Sequence, residues 1–367
     1  MCSLDEKETN LVKKALEGNY LGHGSFVRDF EEKISIFLGG DVSVVCVNSG
    51  TAALHLALES LDLPRGSEVL VPSITYVATF QAISAAGLVP ISCEVNPKTM
   101  FIDSGDARRR ITSNTRCIVP VHHSGASEGI MEVVQLARDF DLRIVEDAAQ
   151  AFGSNNCYGK VGSNPIDIIC FSFDGIKNIT CGEGGAIVSK DQVVIQKCQD
   201  SRFLGVEKDT QARNAGLRSW TFDVQRQGYR YHMSNINAAI GLAQIEKVSA
   251  FRDKRQNLVK KYKELLRDIK EISFLDINYN LIIPHIFLIK CEKRDELKQF
   301  LESEKIETGI HYYPNHLLTK FKADYNLVHS IELHRCILTL PLHVELSFFE
   351  IEYVCNKINE FYNVISD

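Results

Sequence analysis

The 367-residue chain lacks the features that mark membrane, secreted and nucleic-acid-binding proteins. Its longest apolar runs, such as 282–289, are interrupted by Pro284 and His285 and fall far short of the roughly 20 residues needed to cross a bilayer. The charged residues 5–8 stand where a secretory signal would be apolar. No basic block with interleaved aromatics occurs, and the formal net charge is −6. We therefore expect a cytoplasmic protein that binds neither membrane nor nucleic acid.

The eleven cysteines lack any pairing pattern. They are scattered singly, mostly inside apolar runs, and no C-x-x-C pair occurs. This spacing favours reduced, buried thiols over a disulfide framework. A catalytic thiol remains the alternative for any one of them.

Between residues 40 and 200, short β-branched runs bounded by turn residues alternate with helical patterns. This alternation predicts an α/β unit with a largely parallel sheet, whose functional groups lie at the carboxyl ends of the strands. The predicted strands are 42–47, 68–71, 89–93, 117–121, 143–146, 166–172 and 185–189. The predicted helices between them are 51–61, 76–86 and 131–139.

The pattern changes near Asn235, where a long helix is predicted over 236–269 with a charged, Lys-rich second half. The elements predicted after it are a strand at 281–289 and helices at 294–304 and 347–364. They make a smaller α+β unit. We therefore predict a large domain over 1–245 and a small C-terminal domain over 246–367.

Segment 44–58 combines a buried strand, a small-residue turn at 49–51 and an amphipathic helix. Free N–H groups and the dipole at a helix start bind anions, and Gly50 lets the backbone approach a phosphate closely. The alternative interpretation is a Ser/Thr helix cap without any ligand.

Two further segments carry ionisable groups after predicted strands. Glu146 and Asp147 end one strand and precede Gln150. A carboxylate at this edge of the sheet is well placed to meet a ligand cation. The alternative is that the carboxylate caps the N-terminus of a helix. Lys177 lies in a loop between two apolar strands. A lysine drawn into such a pocket loses its proton more easily and attacks carbonyls, whereas a surface lysine is the alternative. Together, a phosphate cradle, a carboxylate and an imine-forming lysine predict pyridoxal phosphate (PLP) chemistry.

The chain resembles the sugar aminotransferases of the DegT/DnrJ/EryC1/StrS family from about Asn19 to its C-terminal region. The segments that carry the resemblance are SGTAAL (49–54), VPSITYVAT (71–79), PVH (120–122), EDAAQAFGS (146–154) and SFDGIKNITCGEGG (172–185). The resemblance implies the fold type I aminotransferase architecture, with a mostly parallel seven-stranded sheet and a smaller α+β C-terminal domain.

The resemblance also implies roles around the cofactor ring. Lys177 would form the imine with the cofactor, and Asp147 would pair with the protonated pyridine nitrogen. Gln150 would hydrogen-bond the ring hydroxyl oxygen. Tyr76 would lie against the ring face, although a core aromatic under its helix is the alternative.

For the phosphate, the resemblance implies Gly50, Thr51 and Ser172. Many relatives have Asn-x-Arg where residues 230–232 of this chain are Arg-Tyr-His, and their Asn reaches the cofactor phosphate of the neighbouring subunit. Arg230 would do the same as a charged fork, which implies a homodimer with shared active sites. His232 leaves the role of the relatives' Arg open. His122 and His123 are expected at the edge of the site, and a structural role is the alternative for each.

By resemblance, the enzyme would be a ping-pong transaminase that carries the amino group of L-glutamate through pyridoxamine phosphate to a nucleotide-linked keto sugar. Segment 20–31 looks more like that of the 4-aminotransferases. We therefore expect dTDP-4-keto-6-deoxyglucose as acceptor, dTDP-4-amino-4,6-dideoxyglucose as product, and a role in O-antigen and lipopolysaccharide biosynthesis. A 3-aminotransferase and a UDP- or GDP-linked 4-keto sugar remain alternatives. Lys177 speaks against the dehydratases that have His at that position and, with Asp147, against a non-catalytic scaffold.

Overall fold

The computed structural model describes residues 3–206 and 223–366. A seven-stranded sheet forms its centre, with strand order β1-β9-β8-β5-β4-β2-β3. Only β9 runs antiparallel to its neighbours, so the expectation of a mostly parallel α/β sheet is confirmed. The strands are β1 Ser43–Val47, β2 Glu68–Pro72, β3 Val89–Cys93, β4 Thr115–Ile118, β5 Arg143–Asp147, β8 Ile168–Ser172 and β9 Gly185–Ser189, and a hairpin is formed by β6 Asn155–Asn156 and β7 Gly159–Lys160.

Helices cover both faces of this sheet. Alternate residues of β1 enter different apolar clusters, since Val44 packs with Phe30 and Phe171 while Val45 packs with Leu54. Burial on both faces explains why the strands appear in the sequence as continuous β-branched runs. The helices are α1 Glu6–Glu17, α2 Ser25–Phe37, α3 Gly50–Ser60, α4 Val77–Ala85, α5 Ser104–Arg110, α6 Ile130–Phe140 and α7 Gln192–Ser201. Short 3-10 turns occupy His123–Gly125, Ile245–Lys247, Asn315–Leu317 and Thr319–Phe321.

The C-terminal part is built around a three-stranded antiparallel sheet of order β10-β11-β12. Its apolar cluster includes Tyr262, Phe287 and Ile358. The elements are α8 Asn235–Gln244, α9 Val248–Leu266, β10 Ile272–Phe274, β11 Phe287–Cys291, α10 Arg294–Ser303, α11 Val328–Cys336, β12 Ile337–Leu340 and α12 Phe348–Ser366. The domain boundary between 245 and 246 stays a prediction.

Three predicted elements differ from the structure by more than two residues at one end. The helix predicted over 236–269 is divided into α8 and α9 by the 3-10 turn Ile245–Lys247. The strand predicted at 281–289 begins only at Phe287, because Pro284 has no N–H and the Ile283 N–H instead donates to Ser154 Oγ at 2.9 Å. Strand β4, predicted to reach 121, ends at Ile118, because Pro120 likewise has no N–H to donate to a neighbouring strand.

Candidate active site

The three segments singled out in the sequence meet at one edge of the large sheet. Strands β1, β8 and β5 run in the same direction, because β9 lies antiparallel between β1 and β8 and β5 is parallel to β8. Their carboxyl ends therefore lie side by side. The first turn of α3, the loop that carries Lys177 and the turn after Asp147 follow these strand ends.

The start of α3 is packed so closely that only glycine fits. A Cβ on Gly50 would lie 2.7 Å from the Ser172 Cβ, and one on Gly185 would lie 2.4 Å from the Ser49 carbonyl oxygen. The N–H groups of Gly50 and Thr51, as the first residues of the helix, have no intrahelical partner. Ser49 Oγ caps the helix by accepting from the Ala52 N–H at 3.1 Å. The cap and the anion cradle are thus compatible, and this cradle fits a phosphate.

Asp147 is buried at the end of β5, and both of its carboxylate oxygens are hydrogen-bonded. Thr79 Oγ1 donates to Oδ2 at 2.7 Å, and the Ala149 N–H donates to Oδ1 at 3.1 Å. Residues 148–154 form turns rather than a helix, so the N-cap interpretation is wrong. A carboxylate held in this way is suited to pair with a ring nitrogen cation.

The amide of Gln150 has a fixed orientation. Its Oε1 accepts from the Ser124 N–H at 2.6 Å, and its Nε2 donates to the Tyr312 hydroxyl at 2.8 Å. One amide hydrogen is left for a further acceptor. Burial raises the pKa of Tyr312, which therefore stays a phenol. Tyr312 was not predicted from the sequence, because it lies far along the chain in a segment without a recognised motif.

Tyr76 stands at the mouth of this site as the N-cap residue of α4. Its side chain is 60% exposed, so the core-aromatic alternative is wrong. Its ring centroid lies 5.8 Å from that of Tyr312, with the planes tilted by 48°. An exposed phenol beside a half-buried one leaves one ring face available to a flat ligand.

Lys177 is half-buried in the loop between β8 and β9. Burial lowers the pKa of its amine, and the carboxylates of Asp147 and Asp174 act in the opposite direction. Asn178 ties this loop to the turn after β5, because its Nδ2 donates to the carbonyls of Gln150 at 3.3 Å and Phe152 at 3.2 Å. The lysine is therefore held beside the carboxylate, and the surface-lysine alternative is not supported.

Two histidines of the C-terminal part lie near the lysine, and His123 lies beside one of them, with its Nε2 3.1 Å from the His311 carbonyl oxygen. Burial, followed by the nearby charge of Lys177, lowers the pKa values of His285 and His311. Burial also lowers the pKa of His123 to about 4. The site is therefore lined by neutral imidazoles. His285 and His311 carry no local sequence signal, and the sequence indicated only His123 of these three.

His122 has a structural role. Its Nε2 lies 2.7 Å from Oε2 of Glu146, and both side chains are buried. Because side chains alternate along a strand, Glu146 points to the sheet face opposite Asp147. The expected place of His122 at the edge of the site is therefore wrong.

The structure does not bring Arg230 to the other predicted residues within one chain. Its side chain is exposed, and among the described residues it forms no hydrogen bond or ion pair. Its backbone pairs with Phe203. The ring of His232 stacks on Phe203 with centroids 4.9 Å apart, and its backbone pairs with Val47. His232 is therefore a packing residue in this chain.

Residues 3–206 and 223–366 contain neither a metal-binding cluster nor a membrane-spanning helix. No cluster of His, Cys, Asp and Glu side chains in these ranges could hold a metal ion. None of the helices there has an apolar stretch that would span a membrane.

Comparison with known proteins places the chain in a family. Residues 2–359 match the DegT/DnrJ/EryC1/StrS aminotransferase family. The chain is 33% identical to the GDP-perosamine synthase of Escherichia coli O157:H7, over 98% of this chain and 97% of that protein. It is 31% identical to the GDP-perosamine synthase of Vibrio cholerae, over 99% and 98% respectively. The structure of NtdA from Bacillus subtilis with bound cofactor PMP superposes with a TM-score of 0.86 at 27% identity, covering 99% of this chain and 82% of NtdA.

The chain therefore belongs to the DegT/DnrJ/EryC1/StrS aminotransferase family. It is a nucleotide-sugar transaminase of fold type I that uses PLP and its pyridoxamine form.

Proposed function

We propose that this enzyme moves the amino group of L-glutamate to C4 of a nucleotide-linked 4-keto-6-deoxyhexose. The convergence of Lys177, Asp147 and the Gly50 cradle at one sheet edge carries the transaminase assignment. The position of amination rests on the two relatives named GDP-perosamine synthase, whose product sugar carries its amine on C4.

The same relatives favour a GDP-linked acceptor. The expectation of a dTDP-linked acceptor, drawn from segment 20–31, is the second candidate. With either nucleotide, the product is an activated amino sugar of the kind that surface polysaccharides such as O-antigens incorporate. We propose that this step takes place in the cytoplasm.

PLP supplies an aldehyde carbon and a protonated ring that withdraws electrons. Gly50, Thr51 and Ser172 would hold its phosphate, and Asp147 would hold the proton on the ring nitrogen. Thr79 and Ala149 fix the carboxylate for that task through their bonds to its two oxygens.

Gln150 and Tyr76 would complete the binding of the ring. The free amide hydrogen of Gln150 would go to the ring hydroxyl oxygen, because its other amide hydrogen is already bonded to Tyr312. Tyr76 would cover one ring face with its exposed phenol.

Lys177 would bind the cofactor covalently and then move protons. Because burial lowers the pKa of its amine, Nζ is neutral in a larger fraction of molecules than a surface lysine would be. As a general base it would take the proton from Cα of glutamate in the first half-reaction, and as a general acid it would deliver a proton to C4 of the sugar in the second. The neutral histidines around it add no competing positive charge.

Arg230 would serve the partner subunit in a homodimer with shared active sites. Its exposed guanidinium, without a bonding partner among the described residues of its own chain, supports this role. A phosphate dianion held mainly by helix N–H groups and serine needs a counter-charge, and a guanidinium supplies a bidentate one.

Mass spectrometry of the products tests the substrate assignment. Wild type and Lys177→Ala are incubated with glutamate and with GDP-, dTDP- and UDP-linked 4-keto and 3-keto sugars. We expect a 4-amino product with the GDP-linked sugar and none with the variant, which should still bind pyridoxamine phosphate. Amination only of a 3-keto sugar would overturn the assignment of C4.

Mixing Arg230→Ala subunits with Lys177→Ala subunits tests the shared site. One site in each mixed dimer would have both the lysine and the arginine, so some activity should return. Subunit exchange without recovered activity, or a fully active monomer in sedimentation, would contradict the shared site.

A further inference from the structure

The segment that carries Arg230 is extended and hydrogen-bonded on both sides. The Tyr229 N–H donates to the Ser201 carbonyl at 2.6 Å, and the Tyr231 N–H donates to the Arg202 carbonyl at 3.1 Å. On the other side, the Asn48 N–H donates to the Tyr231 carbonyl at 2.7 Å. Asn48 immediately precedes the turn that leads into α3. The backbone of this segment is thus attached directly to the phosphate cradle of its own subunit.

The two tyrosines that flank Arg230 lie on the side of α3. The Tyr229 hydroxyl donates to Glu59 Oε1 at 2.6 Å, and the Tyr231 hydroxyl lies 3.5 Å from His55 Nδ1. Their rings stack with centroids 4.9 Å apart and planes 14° apart. His55 Nε2 lies 3.5 Å from the same Glu59 oxygen. We call these four residues, His55, Glu59, Tyr229 and Tyr231, the α3 clamp.

The hydrogen bond between Tyr229 and Glu59 joins a neutral phenol to an ionised carboxylate. Burial acts to raise the pKa of the Glu59 carboxyl, but the nearby His55 ring and the hydrogen bond from Tyr229 outweigh it and the pKa is lowered. Burial and the neighbouring carboxylate raise the pKa of Tyr229. Glu59 is therefore ionised and Tyr229 keeps its proton at neutral pH, which gives a charge-assisted bond.

Alternation along the extended segment separates Arg230 from the clamp. Side chains of successive residues point to opposite faces, so Tyr229 and Tyr231 face α3 while Arg230 faces away. The exposure of Arg230 agrees with this arrangement. An arginine side chain loses rotamer entropy on binding, and a fixed backbone on either side leaves only that side chain to be ordered.

We propose that His55 and Glu59 are positioning residues which, through Tyr229 and Tyr231, fix Arg230 for the cofactor phosphate of the partner subunit. This inference rests on the proposed role of Arg230. Helix α3 would then act in two sites, because its first turn would hold the phosphate of its own subunit while His55 and Glu59, in its second half, hold the segment whose Arg230 serves the partner. Cofactor affinity in one subunit would depend on packing in the other.

A double-mutant cycle on PLP affinity tests the inference. Apoenzyme of the wild type, Tyr229→Phe, Arg230→Ala and the double variant is titrated with PLP, and the dissociation constants are measured by absorbance. We expect Arg230→Ala to weaken binding roughly tenfold to a hundredfold, as loss of a charge-assisted bond does. Tyr229→Phe keeps the ring stack but removes the bond to Glu59, and we expect a loss of about threefold to tenfold. The double variant should bind no more weakly than Arg230→Ala alone.

Three further variants separate positioning from simple packing. Glu59→Ala should match Tyr229→Phe, while Glu59→Gln keeps an acceptor and should restore part of the affinity. Tyr325→Phe is the matched control, because it removes a hydroxyl that donates to the Ser92 carbonyl at 2.8 Å, outside the clamp, and PLP affinity should not change. Thermal unfolding of each apoenzyme records any loss of stability separately.

The outcomes distinguish the two hypotheses. Unchanged PLP affinity in Arg230→Ala would refute the proposed role of Arg230, and the positioning inference with it. Two outcomes would refute only the positioning inference, provided that Arg230→Ala weakens PLP binding. In one, Tyr229→Phe weakens PLP binding equally in the wild type and in Arg230→Ala. In the other, Tyr229→Phe has no effect on PLP binding. A lower melting temperature with unchanged affinity in the clamp variants would likewise assign them to packing.

Discussion

Replacing Gly50 by alanine should damage the cofactor site far more than the fold. The new Cβ would lie 2.7 Å from the Ser172 Cβ, whereas carbon atoms in contact lie about 3.5–4.0 Å apart, so α3 and β8 must separate by roughly 1 Å. Such overpacking costs about 1–3 kcal/mol. Alanine recovers about 1 kcal/mol of this through its higher helix propensity. The net loss of folding stability should therefore be about 0–2 kcal/mol.

Cofactor binding should fall by more, because the shift displaces the helix end that would hold the phosphate. Each charge-assisted bond is worth about 1.5–3 kcal/mol, so the loss of one or two corresponds to at least a tenfold decrease in PLP affinity. Titration of apoenzyme with PLP measures this, and thermal unfolding measures stability. Gly18→Ala is the matched control, because its φ is −68° and its Cβ would lie an ordinary 3.5 Å from the Ala15 carbonyl oxygen.

A second variant tests the cause of the effect. Ser172→Gly removes the atom that the new Cβ would meet, at the expense of a hydroxyl that would hold the phosphate. If the clash is responsible, Gly50→Ala/Ser172→Gly should bind PLP as well as Ser172→Gly alone. Wild-type affinity in Gly50→Ala would show that the phosphate lies elsewhere, and additive losses in the double variant would refute the steric explanation.

Two further predictions concern charge at the site. Asp147→Asn should lower kcat by at least about tenfold, or about 1.4 kcal/mol, because a neutral amide cannot keep the ring nitrogen protonated, and a smaller loss in steady-state assays would contradict that pairing. Asp174→Asn removes a carboxylate that raises the pKa of Lys177 and leaves the lowering effect of burial unopposed on that side. The acid limb of the rate at which apoenzyme reacts with PLP should then move to lower pH, as measured by rapid mixing, and an unmoved limb or one at higher pH would contradict the assigned effect of Asp174.

The large sheet could be predicted because its signal is local. Strands buried on both faces leave continuous β-branched runs, as in β1 and β8, and the residues at their carboxyl ends form short contiguous motifs. Gly50, Asp147 and Lys177 each lie within a few residues of a strand end. Parallel strands then bring such residues together without further information.

The C-terminal contribution to the site could not be predicted in this way. The contact between Gln150 and Tyr312 joins residues 162 positions apart, and His285 lies in a segment that hydrophobicity alone marked as a strand. Pro284 prevents that strand from forming, and Asn178 Nδ2 lies 3.4 Å from the Ile283 carbonyl there. Which distant side chains line the lysine is therefore decided by tertiary packing rather than by local pattern.

The sequence shows that residues 230–232 are Arg-Tyr-His where many relatives have Asn-x-Arg. Which face of the extended segment each side chain occupies decides what this difference does. Arg230 and His232 are two residues apart, so they lie on the same face and about 6–7 Å from one another along the chain. Many relatives have an Arg at the position of His232. Arg230 therefore places a guanidinium on the same face of the segment, two residues earlier. His232 stacks on Phe203, while Tyr229 and Tyr231 bind α3 from the opposite face. Arg230 is thus the residue of this segment left exposed with a full charge, which is the property that a site on a second subunit would require.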